Sequence, residues 1–452
     1  MKKLKFSLST THIILLSFFI AVLLGAVLLS LPISSAKGEC TPFVDALFTS
    51  TTATCVTGLV VVPTFSAWST FGHIVILCLI QIGGLGVITV VSILAMMFHR
   101  KMGLSDRLLL QDAFNLNTLS GLSQFVKKVV LGTFLVESIG ALLYMTVFVP
   151  EFGLKGIWIS AFTAISAFCN AGIDIIASDS LAGYVHNPII NLTTCLLIFF
   201  SGIGYIVWWD VIRVLKLRKK RKLKILKALT LHSKIALATT LILIFGGALC
   251  IFLFEYNNPQ TMQDFTLYQK IQASFFQSVT TRTAGFFTVP QENFSNGSAL
   301  VSVLLMFIGG SPVGTAGGVK TVTIAVVAMA AIATIKNKKD VTMFNRTLSK
   351  EAVSKAVAVI CTSFFIMFMS TLLLSAVTDA NFLDILYETV SATATVGLTR
   401  NLTASLNTIG KFVIIATMYF GRVGPISLAV ALNLKKQNPN IIKNPVEDIS
   451  VG

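Results

Sequence analysis

The chain has 452 residues, of which 54% are hydrophobic and only 12% charged, with 34 phenylalanines. A soluble protein of this length needs a charged exterior around two or three cores, so this composition excludes an ordinary soluble fold and indicates a membrane protein. The net charge of +16 would suit nucleic acid only if a soluble face presented it, and no such face is expected.

From the N-terminus, eight stretches carry no charge or a single one: 13–36, 73–98, 129–150, 187–209, 235–254, 298–335, 356–378 and 412–434. Each reaches the roughly 20 residues that cross a bilayer as a helix, so the chain reads as an all-α integral membrane protein with eight spans. The first follows Met1-Lys2-Lys3-Leu4-Lys5, is too long for the apolar region of a signal peptide and lacks a small-residue cleavage site. With the N-terminus in the cytoplasm and sides alternating, 27 of the 35 basic residues lie at or beside cytoplasmic ends. That distribution satisfies the positive-inside rule and puts both termini in the cytoplasm. The run "RVLKLRKKRKLKILK" (213–227) then reads as a cytoplasmic linker in contact with lipid headgroups. Seven single cysteines without a CxxC and five histidines without an HExxH argue against a disulfide framework, a structural metal or a zinc hydrolase.

Between the members of each pair of spans lies a short semi-polar stretch that ends in glycine. The four align without gaps: "LFTSTTATCVTGL" (47–59), "AFTAISAFCNAGI" (161–173), "SFFQSVTTRTAGF" (274–286) and "LYETVSATATVGL" (386–398). Gly58, Gly172, Gly285 and Gly397 are spaced at 114, 113 and 112 residues (172 − 58, 285 − 172, 397 − 285), the signature of one unit used four times. The units run 1–110, 111–227, 228–345 and 346–436, with a cytoplasmic tail at 437–452. Each stretch is too short to span and long enough for a half-helix that enters and turns back. Non-helical backbone is tolerated at membrane depth only where it is packed in protein or lines a water-filled cavity. Four such loops around one pseudo-fourfold axis would offer a cation a ring of carbonyl oxygens, with glycine supplying the backbone angles. Arg282 stands three residues before its glycine, where the other units have Cys55, Cys169 and Ala394. It is expected behind the ring, bonded to carbonyls or to a carboxylate such as Glu388, because an unpaired charge there would be costly.

The second spans share glycines near mid-membrane, in "QIGGLGV" (81–87), "FSGIGY" (200–205), "IGGSPVGTAGGVK" (308–320) and "YFGRVGP" (419–425). The third is the longest, and Gly309, Gly310, Ser311, Pro312, Gly314, Thr315, Gly317 and Gly318 fit neither an unbroken helix nor a tight turn. A flexible intramembrane loop beneath the ring is expected there, placed to act as a gate. Glu39, Asp45, Glu151, Asp174, Asp179, Glu255, Asp264, Glu292, Asp379 and Asp384 map to outer segments, where negative charge would concentrate cations.

The fourth loop, "TATVGL", resembles the TVG part of the potassium-channel filter. The set "TCVTGL", "CNAGID", "TTRTAGF" and "TATVGL", in this order and spacing, is similar to the four filters of the Ktr/Trk/HKT superfamily of potassium transporters. The resemblance covers nearly the whole chain. Trk-type members carry an additional N-terminal pair of spans, so a chain that starts with the first unit looks closer to the KtrB-type membrane subunits. The resemblance implies a K+ selectivity filter built from Thr54, Cys55, Val56, Thr57 and Gly58; Cys169, Asn170, Ala171 and Gly172; Thr281, Arg282, Thr283, Ala284 and Gly285; and Ala394, Thr395, Val396 and Gly397. It also implies that the 309–318 loop is the gate, with Lys320 just after it and Arg422 of the last span touching it. A serine at the first filter glycine goes with sodium preference in that superfamily, and Gly58 favours potassium. Further implications are K+ as the transported ion, Na+ as a candidate activator, a bacterial cell membrane, and a homodimer with one pore per chain. The regulatory partner implied is a cytosolic nucleotide-binding ring of RCK type, KtrA/KtrC-like, which responds to ATP and ADP. The chain itself has no P-loop and no GxGxxG after a strand, so nucleotide sensing falls to that partner.

Channel-like passage needs no catalytic residue, and no nucleophile or base constellation for a membrane-embedded enzyme is present. The alternative is a sodium- or proton-coupled secondary transporter, which would call for inverted repeats and ionisable residues at a midplane site. The four units here have the same orientation, and the loop columns hold almost no carboxylates.

Overall fold

The computed structural model describes residues 10–97, 103–114, 121–177, 179–221 and 225–424. In chain order, the first quarter forms α1 (Thr10–Ser30), α2 (Phe43–Cys55), α3 (Thr64–Ala67), α4 (Thr70–Leu85), α5 (Val87–Met97) and α6 (Leu104–Phe114). The second forms α7 (Leu122–Phe152), α8 (Lys155–Cys169), α9 (Pro188–Gly202), α10 (Tyr205–Arg221) and α11 (Ile225–Ala228). The third holds α12 (Leu231–Glu255), α13 (Leu267–Thr280), α14 (Asn296–Phe307) and α15 (Thr321–Ile335). The last holds α16 (Lys350–Val377), α17 (Phe382–Ala394) and α18 (Thr408–Val423). The basic link between α15 and α16 folds into an antiparallel hairpin, β1 (Thr342–Met343) and β2 (Arg346–Thr347). Phe344 and Asn345 turn it with φ of +47° and +60°, the handedness that matches strand twist in a two-residue turn.

Among the described residues, four helices, α1, α7, α12 and α16, are each long and apolar enough to cross a membrane, and two bent pairs, α4 with α5 and α9 with α10, raise the number to as many as six. Their outward faces are apolar too. Phe19, Leu24, Leu131, Phe134, Ile242, Phe245, Phe364 and Phe365 are all exposed. A helix that is apolar both toward its neighbours and away from them has lipid as its solvent.

Each long helix packs against the short helix that follows it. A Cβ added to Gly25 of α1 would lie 2.4 Å from Ser50 Oγ of α2, and one on Gly247 of α12 would lie 2.6 Å from Ser278 Oγ of α13. Ser50 donates to Val22 O at 2.6 Å and Ser278 to Ile244 O at 2.7 Å. Small residues let the two backbones approach closely, and a hydroxyl spends its proton on the neighbouring helix. The helix after each loop starts on a polar N-cap: Ser69, Asn187, Ser295 and Asn407 each accept from a backbone N–H in the first turn of α4, α9, α14 and α18.

The expected continuous spans at 73–98 and 187–209 are instead broken. The pair α4 and α5 bends by 96° at Gly86, and α9 and α10 by 94° beside Gly204. Gly86 and Gly204 have φ of +86° and +85°, and Gly424 ends α18 at +95°, so each glycine ends its helix in a conformation that costs side-chain-bearing residues most. The break expected within 298–335 is present, between Phe307 and Thr321. The continuation of 412–434 past Gly424 and the 437–452 tail lie outside the described residues.

Candidate functional site

The four short helices α2, α8, α13 and α17 have 13 to 15 residues, about 20 Å at 1.5 Å per residue, and stop inside the protein. All four are followed by the same backbone device. The residue two before each glycine is in the left-handed region although it carries a side chain: Val56 (φ +55°), Asn170 (+61°), Thr283 (+73°) and Thr395 (+51°). The glycines are at +102° (Gly58), +61° (Gly172), +83° (Gly285) and +95° (Gly397). Alternating handedness along successive residues turns N–H groups to one side and carbonyls to the other.

The N–H side is held by the short helix itself. Thr57, Ala171 and Val396 donate to the carbonyls of Thr52, Ser166 and Ser391, each at 2.8 Å. The hydroxyls of Thr52 and Ser391 take the glycine N–H of Gly58 and Gly397 at 2.9 and 3.0 Å, and Ser166 Oγ takes the Ile173 N–H at 3.1 Å. In the third loop the column shifts by one residue, and Thr280 Oγ donates to Phe286 O. These hydroxyls, six residues before the glycine in three units, were missed in the sequence reading, although the column of Ser and Thr was visible there.

Among the described residues, the carbonyl side meets no protein donor. The carbonyls of Thr57, Ala171, Ala284 and Val396 belong to fully buried residues, and none accepts a hydrogen bond among the described residues. They close a cycle. A Cβ added to Gly58 would lie 2.4 Å from Ala171 O, one on Gly172 would lie 2.6 Å from Ala284 O, one on Gly285 would lie 2.5 Å from Val396 O, and one on Gly397 would lie 2.2 Å from Thr57 O. Each loop therefore presents its carbonyl to the glycine of the preceding one, and the first presents its own to the glycine of the fourth. A buried carbonyl without a donor is normally rare; four around one point are a set of hard oxygen ligands. The C-terminal ends of α2, α8, α13 and α17, each equivalent to about half a negative charge, meet at the same place. The buried hydroxyls of Thr54, Thr57, Thr283 and Thr395 also have no hydrogen-bond partner among the described residues.

Beneath this ring lies the 308–320 loop. Val319 N donates to Phe307 O at 3.1 Å and Thr321 N to Gly310 O at 3.0 Å, which pins its two ends together; Ser311 Oγ and Thr321 Oγ1, 2.8 Å apart, add a side-chain bond. Its middle leans on the break between α9 and α10, where Ser311 N donates to Gly202 O at 2.7 Å and Tyr205 N to Val313 O at 2.9 Å. Pro312 and Gly314 face the same break: a Cβ on Gly204 would sit 2.3 Å from Pro312 O, and one on Gly314 would sit 2.6 Å from Ser201 O. Buried Thr315 donates to Phe168 O at 3.1 Å and accepts from Asn170 Nδ2 at 3.3 Å, at the base of the second ring loop. Gly317 abuts the fourth: a Cβ there would lie 2.0 Å from Thr395 Oγ1. Gly318 takes the left-handed turn, at φ +66°.

Three cations hold the loop. Arg422 Nη1 donates to Thr315 O at 2.7 Å, and its Nη2 donates to Gly83 O, so the end of α18 ties the loop to α4. Lys320 does not reach out to the membrane surface; its ammonium folds back onto the carbonyls of Ala316 and Gly317. Arg282 is buried, and it does not pair with Glu388. It donates to Thr240 O at 3.2 Å, Thr240 Oγ1 at 3.5 Å and Gly309 O at 3.2 Å. Glu388 is satisfied by Thr399 Oγ1 and Thr403 Oγ1 at 2.6 and 2.5 Å. Arg282 finds two carbonyls nearer than any acid, because the neighbouring broken helix exposes an unpaired Gly309 carbonyl.

Several outer acids do structural work instead of facing the ring. Asp45 pairs with Lys411 at 2.7 Å and Asp384 with Arg400 at 2.7 Å; Glu151 accepts from Tyr184, and Glu255 accepts from Asn258, Thr261 and Ser295. Arg400, unremarked in the sequence, also donates to Gln291 O and Glu292 O, stitching the fourth loop to the third. Asp174, two residues beyond Gly172 in the loop outside the helices, is half-buried, and burial raises its pKa to about 6.

Apolar outer faces, half-length helices that stop inside, and a ring of unpaired carbonyls define a multi-span membrane protein with an oxygen-lined centre. The model of the TrkH family, described as "Cation transport protein", matches residues 2–443. The chain belongs to that family, one of cation transporters and not of enzymes. It is 39% identical over 442 residues to the Ktr system potassium uptake protein B of Bacillus subtilis, covering 98% of this chain and 96% of that protein. It is 36% identical over 457 residues to the potassium/sodium uptake protein NtpJ of Enterococcus hirae, covering 100% of this chain and 99% of the relative. The crystal structure of the potassium transporter TrkH from Vibrio parahaemolyticus has the same fold, with a TM-score of 0.74 at 16% identity over 96% of this chain and 86% of the other.

Proposed function

We propose that this chain is the potassium-translocating membrane subunit of a Ktr-type uptake system. The observation that carries the reading is the closed cycle of four buried carbonyls without protein donors, at Thr57, Ala171, Ala284 and Val396. A K+ ion that sheds its water needs such oxygens, and rings of backbone carbonyls are how channels supply them. The selectivity filter is then 54–58, 169–172, 281–285 and 394–397, with Arg282 bracing it from behind.

Each of the four units contributes two spans, eight in all, around a pseudo-fourfold axis. In this reading α14 with α15 and α18 with its continuation supply the spans that helix length alone does not count. The 309–318 loop is the gate, held shut by Arg422 through Thr315 and steadied by Lys320. An inside-negative potential drives entry by about 2.3 kcal/mol per charge per 100 mV. Both termini and the basic links face the cytoplasm of a bacterial cell. The chain forms a homodimer with one pore per subunit, and the hairpin at 342–347 and the basic links receive a cytosolic nucleotide-binding ring. Two relatives named for potassium uptake, at 39% and 36% identity over nearly the full length, support K+ as cargo, and the second makes Na+ the ion to test as competitor or activator.

The test is reconstitution of the purified chain in liposomes, with K+ and Na+ flux measured under an imposed potential. Saturable flux that prefers K+ is expected. Flux of Na+ alone would overturn the potassium assignment, and flux requiring a counter-moving proton would overturn channel-like passage.

A further inference from the structure

The elbow made by the 94° bend between α9 and α10 encloses a second feature. Against α7 it leaves a cavity of about 400 Å³, lined by Ile139, Leu143, Leu196, Phe200, Trp208 and Val211 among others. The volume is in the range of ligand sites. Ile139, Leu143, Leu196 and Phe200 are exposed on helices whose outer faces meet lipid, so the cavity opens sideways into the hydrocarbon and not into water.

One end of the elbow is basic. α10 crosses α7 at Gly132, where a Cβ would lie 3.3 Å from the Trp208 ring. One helical turn away, Lys128 is exposed and its Nζ lies 5.6 Å from the Trp209 ring centroid. Arg213 and Lys216 are exposed on α10 just past the cavity wall. Asp210 is the one acid facing them from α10, and it binds Arg213 at 2.5 Å while accepting from Thr230 N and Oγ1. On α7, the exposed apolar side chains of Leu131 and Leu135 lie between Lys128 and the cavity.

We propose that this elbow binds an anionic phospholipid, with one acyl chain in the cavity beside Trp208 and the headgroup phosphate at Lys128, Arg213 and Lys216. Apolar lining fits only the chain, and the clustered cations select the headgroup: each basic residue near a membrane surface favours an anionic lipid about fivefold, about 1 kcal/mol. The inner wall of the cavity is Ile203, whose neighbour Gly204 carries Pro312 of the 308–320 loop, so a bound chain braces the corner on which that loop leans. The binding claim stands whether or not the loop is a gate.

The test uses the full chain in phosphatidylcholine nanodiscs and reads tryptophan quenching by lipids with brominated acyl chains, with Trp208→Phe identifying the share due to Trp208. Brominated phosphatidylglycerol should quench that share half-maximally at a mole fraction at least about fivefold lower than brominated phosphatidylcholine. In the Lys128→Gln/Arg213→Gln/Lys216→Gln triple variant the preference should fall toward one, and Leu196→Phe should weaken quenching by both lipids. Equal quenching by the two lipids in the wild type, or a preference that survives in the triple variant, overturns the proposal. So does an absent quench accompanied by chain-to-chain cross-linking through Leu196→Cys, which would make a second copy the occupant.

Discussion

Arg422 bears directly on whether the 308–320 loop is a gate. It bridges Thr315 O in the loop and Gly83 O in α4, so Arg422→Ala removes the cation that ties the loop's buried middle to α4. A hydrogen bond from a charged donor contributes about 1.5–3 kcal/mol net. If the bond to Thr315 exists only with the loop closed, losing it changes the closed-to-open ratio by roughly 10- to 150-fold, since about 1.4 kcal/mol is a factor of ten. The assay is K+ flux into proteoliposomes at equal protein content under a fixed inside-negative potential, with the K+/Na+ ratio measured alongside. The expected result is a flux rise of at least about tenfold, up to the limit set by full opening, with selectivity retained. A purely electrostatic barrier would also be lowered in Arg422→Ala, so Arg422→Lys separates the two: it keeps the charge but only part of the bridge, and should fall between wild type and Ala. Flux equal to wild type in Arg422→Ala, or Arg422→Lys indistinguishable from wild type while Ala is raised, would refute the clamp.

Three further outcomes are expected. Gly58→Ser places a side chain at φ +102°, 2.4 Å from Ala171 O; strain of about 1–3 kcal/mol must move the ring, and the K+/Na+ permeability ratio should drop by about tenfold. An unchanged ratio would mean that Gly58 does not line the passage. Arg282→Met strands Gly309 O and removes a second donor from the helix carbonyl of Thr240, which at about 1–3 kcal/mol for a stranded buried group should lower the melting temperature of the purified chain measurably. Arg282→Lys should recover part of the loss, and melting identical to wild type in the methionine variant would remove the brace. Burial raises the Asp174 pKa to about 6, so the group is a carboxylate above that pH and neutral below it. Acidification of the outer side from pH 7 to 5 should therefore reduce K+ entry with a midpoint near 6; Asp174→Asn should sit at the low-pH level throughout, and a pH dependence unchanged in that variant would refute the assignment to Asp174.

Much of this protein was legible in the chain because the membrane simplifies the physics. Spans are read from uncharged length, and the fourfold spacing of Gly58, Gly172, Gly285 and Gly397 required no coordinates, since only glycine or a strained residue accepts the backbone turn those loops make. The broken third helix was equally readable from eight small or breaking residues between Gly309 and Gly318. What the sequence left open were partnerships across space. Arg282 could be assigned to a place behind the ring, but its acceptors depend on where α12 and the end of α14 happen to leave carbonyls, and Glu388 had found its own hydroxyls. The bends at Gly86 and Gly204 share the composition of a continuous apolar span, because hydropathy measures burial in lipid and is blind to direction. The outer acids read as a cation funnel until Lys411, 366 residues from Asp45, and Arg400, beside Asp384, proved to neutralise two of them. Residue type and spacing determined which four loops end in a glycine turn; only the tertiary packing decided which carbonyl meets which glycine and that Arg422 reaches Thr315, because those contacts join residues a hundred or more positions apart.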